Sequence, residues 1–245
     1  MLTNTAHRPW ELPSRPWMFA MRWHDLLFMH WPVPAPALRA AIPPALTLDT
    51  YEGTAWIGVV PFRMSSVRPR ALPPLPWLSA FPELNVRTYV TIGGKPGVWF
   101  FSLDATNRLA VRLARRLFHL PYYDARMTSK RANDQVHYLS QRTHRGAPSA
   151  AFQGRYRAHG PVYHASPGTL DHWLTERYCL YAVDRHGHLW CGEIHHARWP
   201  LQPAEAEVTV NTMTRPLGVA LPDLPPLLHF SRRQDVVGWM PERVP

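Results

Sequence analysis

Proline recurs too often in this chain for long helices to survive. There are 27 prolines in 245 residues, set between short hydrophobic runs, and each one removes a backbone donor and fixes φ. Such punctuation predicts many short strands joined by loops rather than a helical bundle. Hydrophobic residues make up 46% of the chain, 11 tryptophans among them, which supplies a substantial core and argues against disorder. No internal repeat or low-complexity linker divides the sequence. The expectation is therefore one domain over residues 1–245, with residues 1 to 16 as an irregular arm.

Met18 to Trp31 reads as a strand, with His24, Leu26, Phe28 and His30 on one side and Trp23, Asp25, Leu27 and Met29 on the other. Pro36 to Ile42 reads as a short helix. Thr54 to Met64 is apolar on both sides, as a strand buried between layers would be. Residues 68 to 82 are proline-rich and read as a loop. The next strand, Glu83 to Ile92, alternates Leu84, Val86, Thr88 and Val90 with Glu83, Asn85, Arg87 and Tyr89. One face is core, and the other aligns a carboxylate, an amide, a guanidinium and a phenol. A Gly93-Gly94 turn then leads to an antiparallel partner over Val98 to Leu103. Further strands are expected over residues 126–131, 135–142, 151–157, 176–182, 189–195, 205–211 and 235–240, with a short helix from Ser166 through Thr175.

One segment breaks the strand rhythm. From Arg108, Leu109, Leu113 and Leu117 recur every four residues with Ala110, Ala114 and Phe118 beside them, predicting a helix with one apolar stripe. Asp104 stands where a carboxylate can accept the first amide hydrogens. Pro121 ends the helix near His119, and two adjacent tyrosines, Tyr122 and Tyr123, follow outside the stripe.

Several function classes are disfavoured. The net charge of +10 comes from arginines scattered along the chain, with no helix-turn-helix or RNA-binding signature, so no specific nucleic-acid partner is expected. No apolar run approaches the roughly 20 residues of a membrane helix, and the N-terminal segment lacks a hydrophobic signal core. Cys179 and Cys191 flank an expected four-residue turn at Asp184–Gly187, which would place them on opposite sheet faces. A disulfide is then not expected, and a cytoplasmic location follows. Fourteen histidines invite a metal reading, but HExxH and CxxC are absent, so neither metal nor cofactor is expected. GxSxG elbows, phosphate loops and dinucleotide fingerprints are absent too. The sequence does not fix an oligomeric state and is compatible with a homo-oligomer.

The segment His119-Leu120-Pro121-Tyr122-Tyr123-Asp124-Ala125 after a helix resembles the acetoacetate decarboxylase superfamily. The chain also resembles a bacterial branch of uncharacterised, YqjF-like proteins. That likeness is carried by Trp23 to Phe28, Ala55 to Phe62, Phe81 to Val90, Leu174 to Tyr178 and Pro226 to Phe230. The resemblance implies a mainly β fold: an antiparallel β-barrel or cone with one long helix and a few short ones packed outside. It also implies that Glu83 occupies the position of a pocket glutamate. His24 falls where the decarboxylases use an arginine for the substrate carboxylate, and Trp56 replaces a second pocket acid.

The decarboxylases carry two adjacent lysines where this chain has Tyr122 and Tyr123, and a phenol cannot form an imine. The chain's two lysines, Lys95 and Lys130, lie in a glycine-rich turn and a polar run, without the apolar setting that would free an amine. Schiff-base decarboxylation is therefore not expected. The expected chemistry is of lyase type: acid–base hydration, dehydration or aldol reactions on a small carbonyl or carboxylate compound. Glu83, Tyr122 and Tyr123 would be catalytic, and His24, Arg87, Trp56 and Asn85 would contact the ligand. The alternatives are a protein that binds a small ligand without chemistry, and a cavity filled by the two tyrosines.

Overall fold

The computed structural model describes residues 2–75 and 79–244. Strand accounts for 51% of it and helix for 10%, as the proline spacing requires. In chain order the strands are β1 (Phe19–Val33), β2 (Thr47–Leu48), β3 (Ala55–Pro69), β4 (Phe81–Ile92), β5 (Lys95–Ala105), β6 (Tyr122–Ala132) and β7 (Gln135–Arg142). They continue as β8 (Ala151–Ala158), β9 (Cys179–Val183), β10 (Leu189–His196), β11 (Gln202–Asn211), β12 (Leu227–Gly238) and β13 (Glu242–Arg243). Among the described residues three α-helices interrupt them, α1 (Ala35–Arg39), α2 (Arg108–Leu117) and α3 (Leu170–Thr175), together with one 3-10 turn at Arg215–Leu217. Residues 76–78 of the expected proline loop lie outside the described residues.

The sheet closes on itself twice. Pairing of β4 with β5 completes a nine-stranded barrel, β5-β6-β7-β8-β11-β12-β1-β3-β4. Pairing of β10 with β12 completes a second ring, β12-β1-β3-β4-β5-β9-β10, that shares five strands with the first. Closure removes free edges from those strands. Most pairings are antiparallel, and β5 meets β6 and β9 in parallel.

Side-chain alternation assigns the two faces of the shared strands. Leu27, Met29, Ile57, Val59, Leu84 and Val86 form the main core with Tyr138, Phe152 and Tyr156 from β7 and β8. The opposite face carries Phe28 and His30 on β1, Val60 on β3, Glu83, Asn85, Arg87 and Tyr89 on β4, and His229 on β12, all buried. It turns towards β9 and α3: Leu103 packs on Ala182, and Tyr89 packs on Leu174. The period-two pattern of Glu83 to Ile92 thus divides an apolar core from a buried polar wall.

Three local expectations are corrected. The leucine stripe of α2 faces solvent, with Leu109, Leu113 and Leu117 all exposed, while Val111 is buried. The helix packs through the neighbouring narrower stripe of Ala110, Val111, Ala114 and Phe118, whose small residues let it approach the barrel. The helix is capped by Asn107, whose side chain accepts the amides of Leu109 and Ala110 at 3.1 Å each. Asp104 is instead fully buried in a two-pronged pair with Arg142, at 2.7 Å to Nη2 and 3.0 Å to Nε. Finally, the β9–β10 turn holds five residues, because Val183 pairs with Leu189 rather than with His188. That single shift puts Cys179 and Cys191, the latter opposite Tyr181, on the same face. Both thiols are free.

Candidate functional site

The site is built on the polar wall of β4. Glu83 is 3% exposed and accepts the Tyr122 hydroxyl at 2.9 Å. Around it stand Phe62, Phe81, Ala105 and Val111, an apolar cluster that Tyr122 joins. Burial pushes the Glu83 carboxyl up to about 8; the Tyr122 hydrogen bond pulls against that, and Asp104 adds to it. Glu83 is therefore mostly protonated at neutral pH. Burial and Glu83 together hold the Tyr122 phenol well above its ordinary range, so it stays a donor.

Tyr122 reaches Glu83 because it opens β6, where it lies beside Leu103 in the parallel pairing. Tyr123 lies beside Asp104 and points the other way, as consecutive strand residues must. Its ring covers the Arg142 guanidinium at 4.2 Å and meets the His144 ring edge-on. The structure thus brings one of the two tyrosines to Glu83 and gives the other to the Arg142–Asp104 pair.

Further along the same face are Asn85 and Arg87. Arg87 Nη2 donates to the Leu174 carbonyl at 3.2 Å and lies 3.4 Å from the Tyr89 hydroxyl. Its guanidinium carbon stands 5.1 Å from the centre of the Phe28 ring. Among the described residues no carboxylate lies within ion-pair distance of Arg87, in contrast to buried Arg142 and Arg177, which pair with Asp104 and Asp49. Asn85 Oδ1, Arg87 Nε, His30 Nδ1, His229 Nδ1 and Ser231 Oγ are all buried without a hydrogen-bond partner. Trp56 packs with Tyr89 and Leu174 at the α3 end of the wall, and its indole nitrogen is also unpartnered.

His24 does not join them. Asp25 adopts φ of 49°, and the pairing of β1 with β3 shifts register between His24 and Met29, as a β-bulge does. The extra residue reverses the alternation, so Trp23 rather than His24 shares the apolar cluster with Leu26 and Phe28. His24 bonds Ser65 Oγ at 2.7 Å. Burial, and then Arg63, push its pKa down to about 4, so it is neutral where it would have to be charged to hold an anion. The two lysines are elsewhere: Lys95 pairs with Glu193 at 2.5 Å, and Lys130 is exposed on β6. Neither stands on the polar wall. Two surface clefts, one beside His195 and Arg233 and the other beside Trp99 and His119, are not lined by Glu83.

Sequence reasoning gave His229 and Asp171 no role and placed His30 only on a strand face. His229 Nε2 lies 3.0 Å from Asp171 Oδ1, and His30 Nε2 lies 2.7 Å from the Tyr89 hydroxyl. His30 shares its strand face with Phe28 and was legible as an inward position. The Asp171–His229 pair joins α3 to β12 across 58 residues, and no local pattern announces it. Among the described residues no group of three or more histidine, cysteine or acidic side chains is arranged to hold a metal ion. No helix among them is long and apolar enough to cross a membrane.

A strand-rich sheet closed on itself, with a few helices between its strands, is an acetoacetate decarboxylase-like barrel. Solved structures agree. The acetoacetate decarboxylase of Legionella pneumophila superposes with a TM-score of 0.63 at 13% identity, covering 100% of this chain and 94% of its own. The enduracididine biosynthesis enzyme MppR, in its complex with pyruvate, gives a TM-score of 0.62 at 11% identity, covering 96% and 93%. Within that fold the chain belongs to the DUF2071 family of uncharacterized conserved proteins, which it matches over residues 20–235. It is 49% identical to the uncharacterized protein YqjF of Bacillus subtilis over 229 residues, 94% of this chain and 93% of that one.

Proposed function

We propose that the polar wall binds a small carboxylate compound and carries out acid–base chemistry of lyase type on it. The observation that carries this reading is Arg87, a buried guanidinium with no counter-ion among the described residues and an unpartnered Nε. Burying an uncompensated charge costs several kcal/mol, on the order expected for breaking a buried pair. Such a residue is accounted for by an anion that the chain itself does not supply. Arginine's planar fork suits a carboxylate.

Glu83 provides the chemistry. Held protonated beside an apolar wall, it can donate to a carbonyl or a leaving hydroxyl, and Tyr122 orients it. Tyr122 is half-buried as a residue, and its hydroxyl caps the Glu83 end of the wall from inside. Trp56 closes the opposite end, and Asn85 offers its carbonyl oxygen between the two. A structural neighbour in complex with pyruvate supports a small carboxylate as the ligand class. With neither lysine on the wall, the chemistry is not imine formation.

The test is a panel of 2-keto acids, 3-keto acids and enals, followed for binding by calorimetry and for turnover by NMR. Carboxylates should bind to the wild type, and Arg87→Met should weaken that binding about 10- to 100-fold. Turnover should vanish in Glu83→Gln. Binding without turnover in either protein would instead establish the non-catalytic alternative, a ligand-binding protein. Its specific support is the replacement of the imine-forming residues by Tyr122 and Tyr123. Absence of any carboxylate binding refutes both.

A further inference from the structure

Beyond Glu83 and Arg87, two histidines share the polar wall, each with a buried, unpartnered ring nitrogen. His229 is 2% exposed. Its Nε2 faces Asp171 Oδ1 at 3.0 Å, and the other Asp171 oxygen accepts the Tyr163 hydroxyl at 2.9 Å. The His229 hydrogen bond holds the Asp171 carboxyl below its ordinary range, so the carboxylate accepts from Nε2. Nδ1 is buried with no partner. A carboxylate that fixes the tautomer behind the ring and an unshared nitrogen in front make the arrangement of an oriented base.

His30 repeats the pattern. The Tyr89 hydroxyl donates to the Leu174 carbonyl at 2.7 Å. It has no second proton, so it must accept from His30 Nε2 at 2.7 Å. That leaves His30 Nδ1 as an acceptor too. His229 and Arg87 face the same interior: Phe28 is the cross-strand partner of His229, and its ring carries the Arg87 guanidinium. The wall therefore offers one cation, the unpartnered Trp56 indole nitrogen and Ser231 hydroxyl, and three further unpartnered atoms, Asn85 Oδ1, His30 Nδ1 and His229 Nδ1. A ligand that satisfies it brings a carboxylate together with a hydroxyl donor, which a simple keto acid lacks.

Building on the reading of Arg87 and Glu83 above, we propose that His229, positioned by Asp171, is the catalytic base of this site and that its substrate is a 3-hydroxy carboxylate, which it dehydrates. Arg87 holds the carboxylate, and Asn85 Oδ1 accepts the 3-hydroxyl. His229 Nδ1 takes the proton from carbon 2. The released electron pair forms the bond between carbons 2 and 3, and the carbon–oxygen bond at carbon 3 breaks. The hydroxyl leaves as water with the Glu83 proton. A 2,3-unsaturated acid results, with His229 protonated and Glu83 ionised; solvent returns the proton from one to the other. The same residues run the reverse hydration, and no oxidant or reductant is consumed.

The experiment incubates the protein in deuterium oxide with four- to six-carbon 3-hydroxy acids. Binding is read by saturation-transfer NMR, and deuterium entering carbon 2 by proton NMR. His229→Gln retains an amide donor for Asp171 but removes the base. Exchange should fall at least about 100-fold in that variant, well beyond its loss of binding. Nitrogen-15 spectra of the wild-type protein should show His229 as the Nε2–H tautomer, and Asp171→Asn should mix the tautomers and slow exchange. Binding without exchange in the wild type, exchange undiminished in His229→Gln, or a wild-type Nδ1–H tautomer each overturns the base and leaves the Arg87 site standing. If no hydroxy acid binds to the wild type, the inference fails; the keto-acid panel decides separately whether the Arg87 reading fails with it.

Discussion

Replacing Glu83 by glutamine should make this protein more stable, and increasingly so as pH rises. Burial raises the Glu83 carboxyl from 4.5 to about 8 in the folded protein, whereas in the unfolded chain it titrates near its ordinary value. Below pH 4.5 both states hold the proton and nothing is lost. Between pH 4.5 and about 8 the folded state keeps a proton that the unfolded chain has released. Stability therefore falls with rising pH by about 1.4 kcal/mol per pH unit. At pH 7 the accumulated loss is about 3 kcal/mol, and it levels off above the folded value. Glutamine does not titrate, and its carbonyl oxygen can still accept from Tyr122. Urea unfolding midpoints of wild type and Glu83→Gln at pH 5, 6, 7 and 8 measure the difference directly. An imperfectly seated amide would displace the variant by a constant amount, so the slope of the difference is the diagnostic quantity. Parallel curves across that range would show that Glu83 is not held protonated, and the acid role assigned to it would go with them.

Other substitutions probe the neighbouring groups. Arg87→Met removes a buried charge without a counter-ion and should raise stability by about 1–3 kcal/mol in the same unfolding assay, even as it weakens carboxylate binding. Arg142→Ala does the opposite: it strands Asp104, fully buried in its pair, and should cost about 3–5 kcal/mol. Leu113→Gln, on the exposed stripe of α2, should shift the urea midpoint by less than about 0.5 kcal/mol equivalent, where a packed leucine would cost several times more.

The alternation of β4 was legible from residues alone, because a period of two has one reading once a strand is granted. Glu83, Asn85 and Arg87 duly share a wall. Helix α2 was legible as a helix but not by its buried face: leucines outweigh alanines in any apolar count, yet the barrel surface admits the flatter side. His24 was misplaced by one residue of bulge at Asp25, a backbone event that composition does not signal. The cysteines changed faces for the same kind of reason, one extra residue in a turn. His229 and Asp171 meet only because α3 packs against a distant strand, so their partnership is a property of the tertiary fold.

Sheet geometry also separates two phenols that adjoin in the sequence. Hydroxyl loss at Tyr122 removes a hydrogen bond to Glu83, whereas ring loss at Tyr123 uncovers the Arg142 guanidinium that pairs with Asp104. The two neighbourhoods share Asp104, which pairs with Arg142 and raises the Glu83 carboxyl, so a double variant should depart from the sum of the two single ones. Successive residues thus serve opposite faces of one strand, one touching the interior carboxyl and the other the buried ion pair of the scaffold.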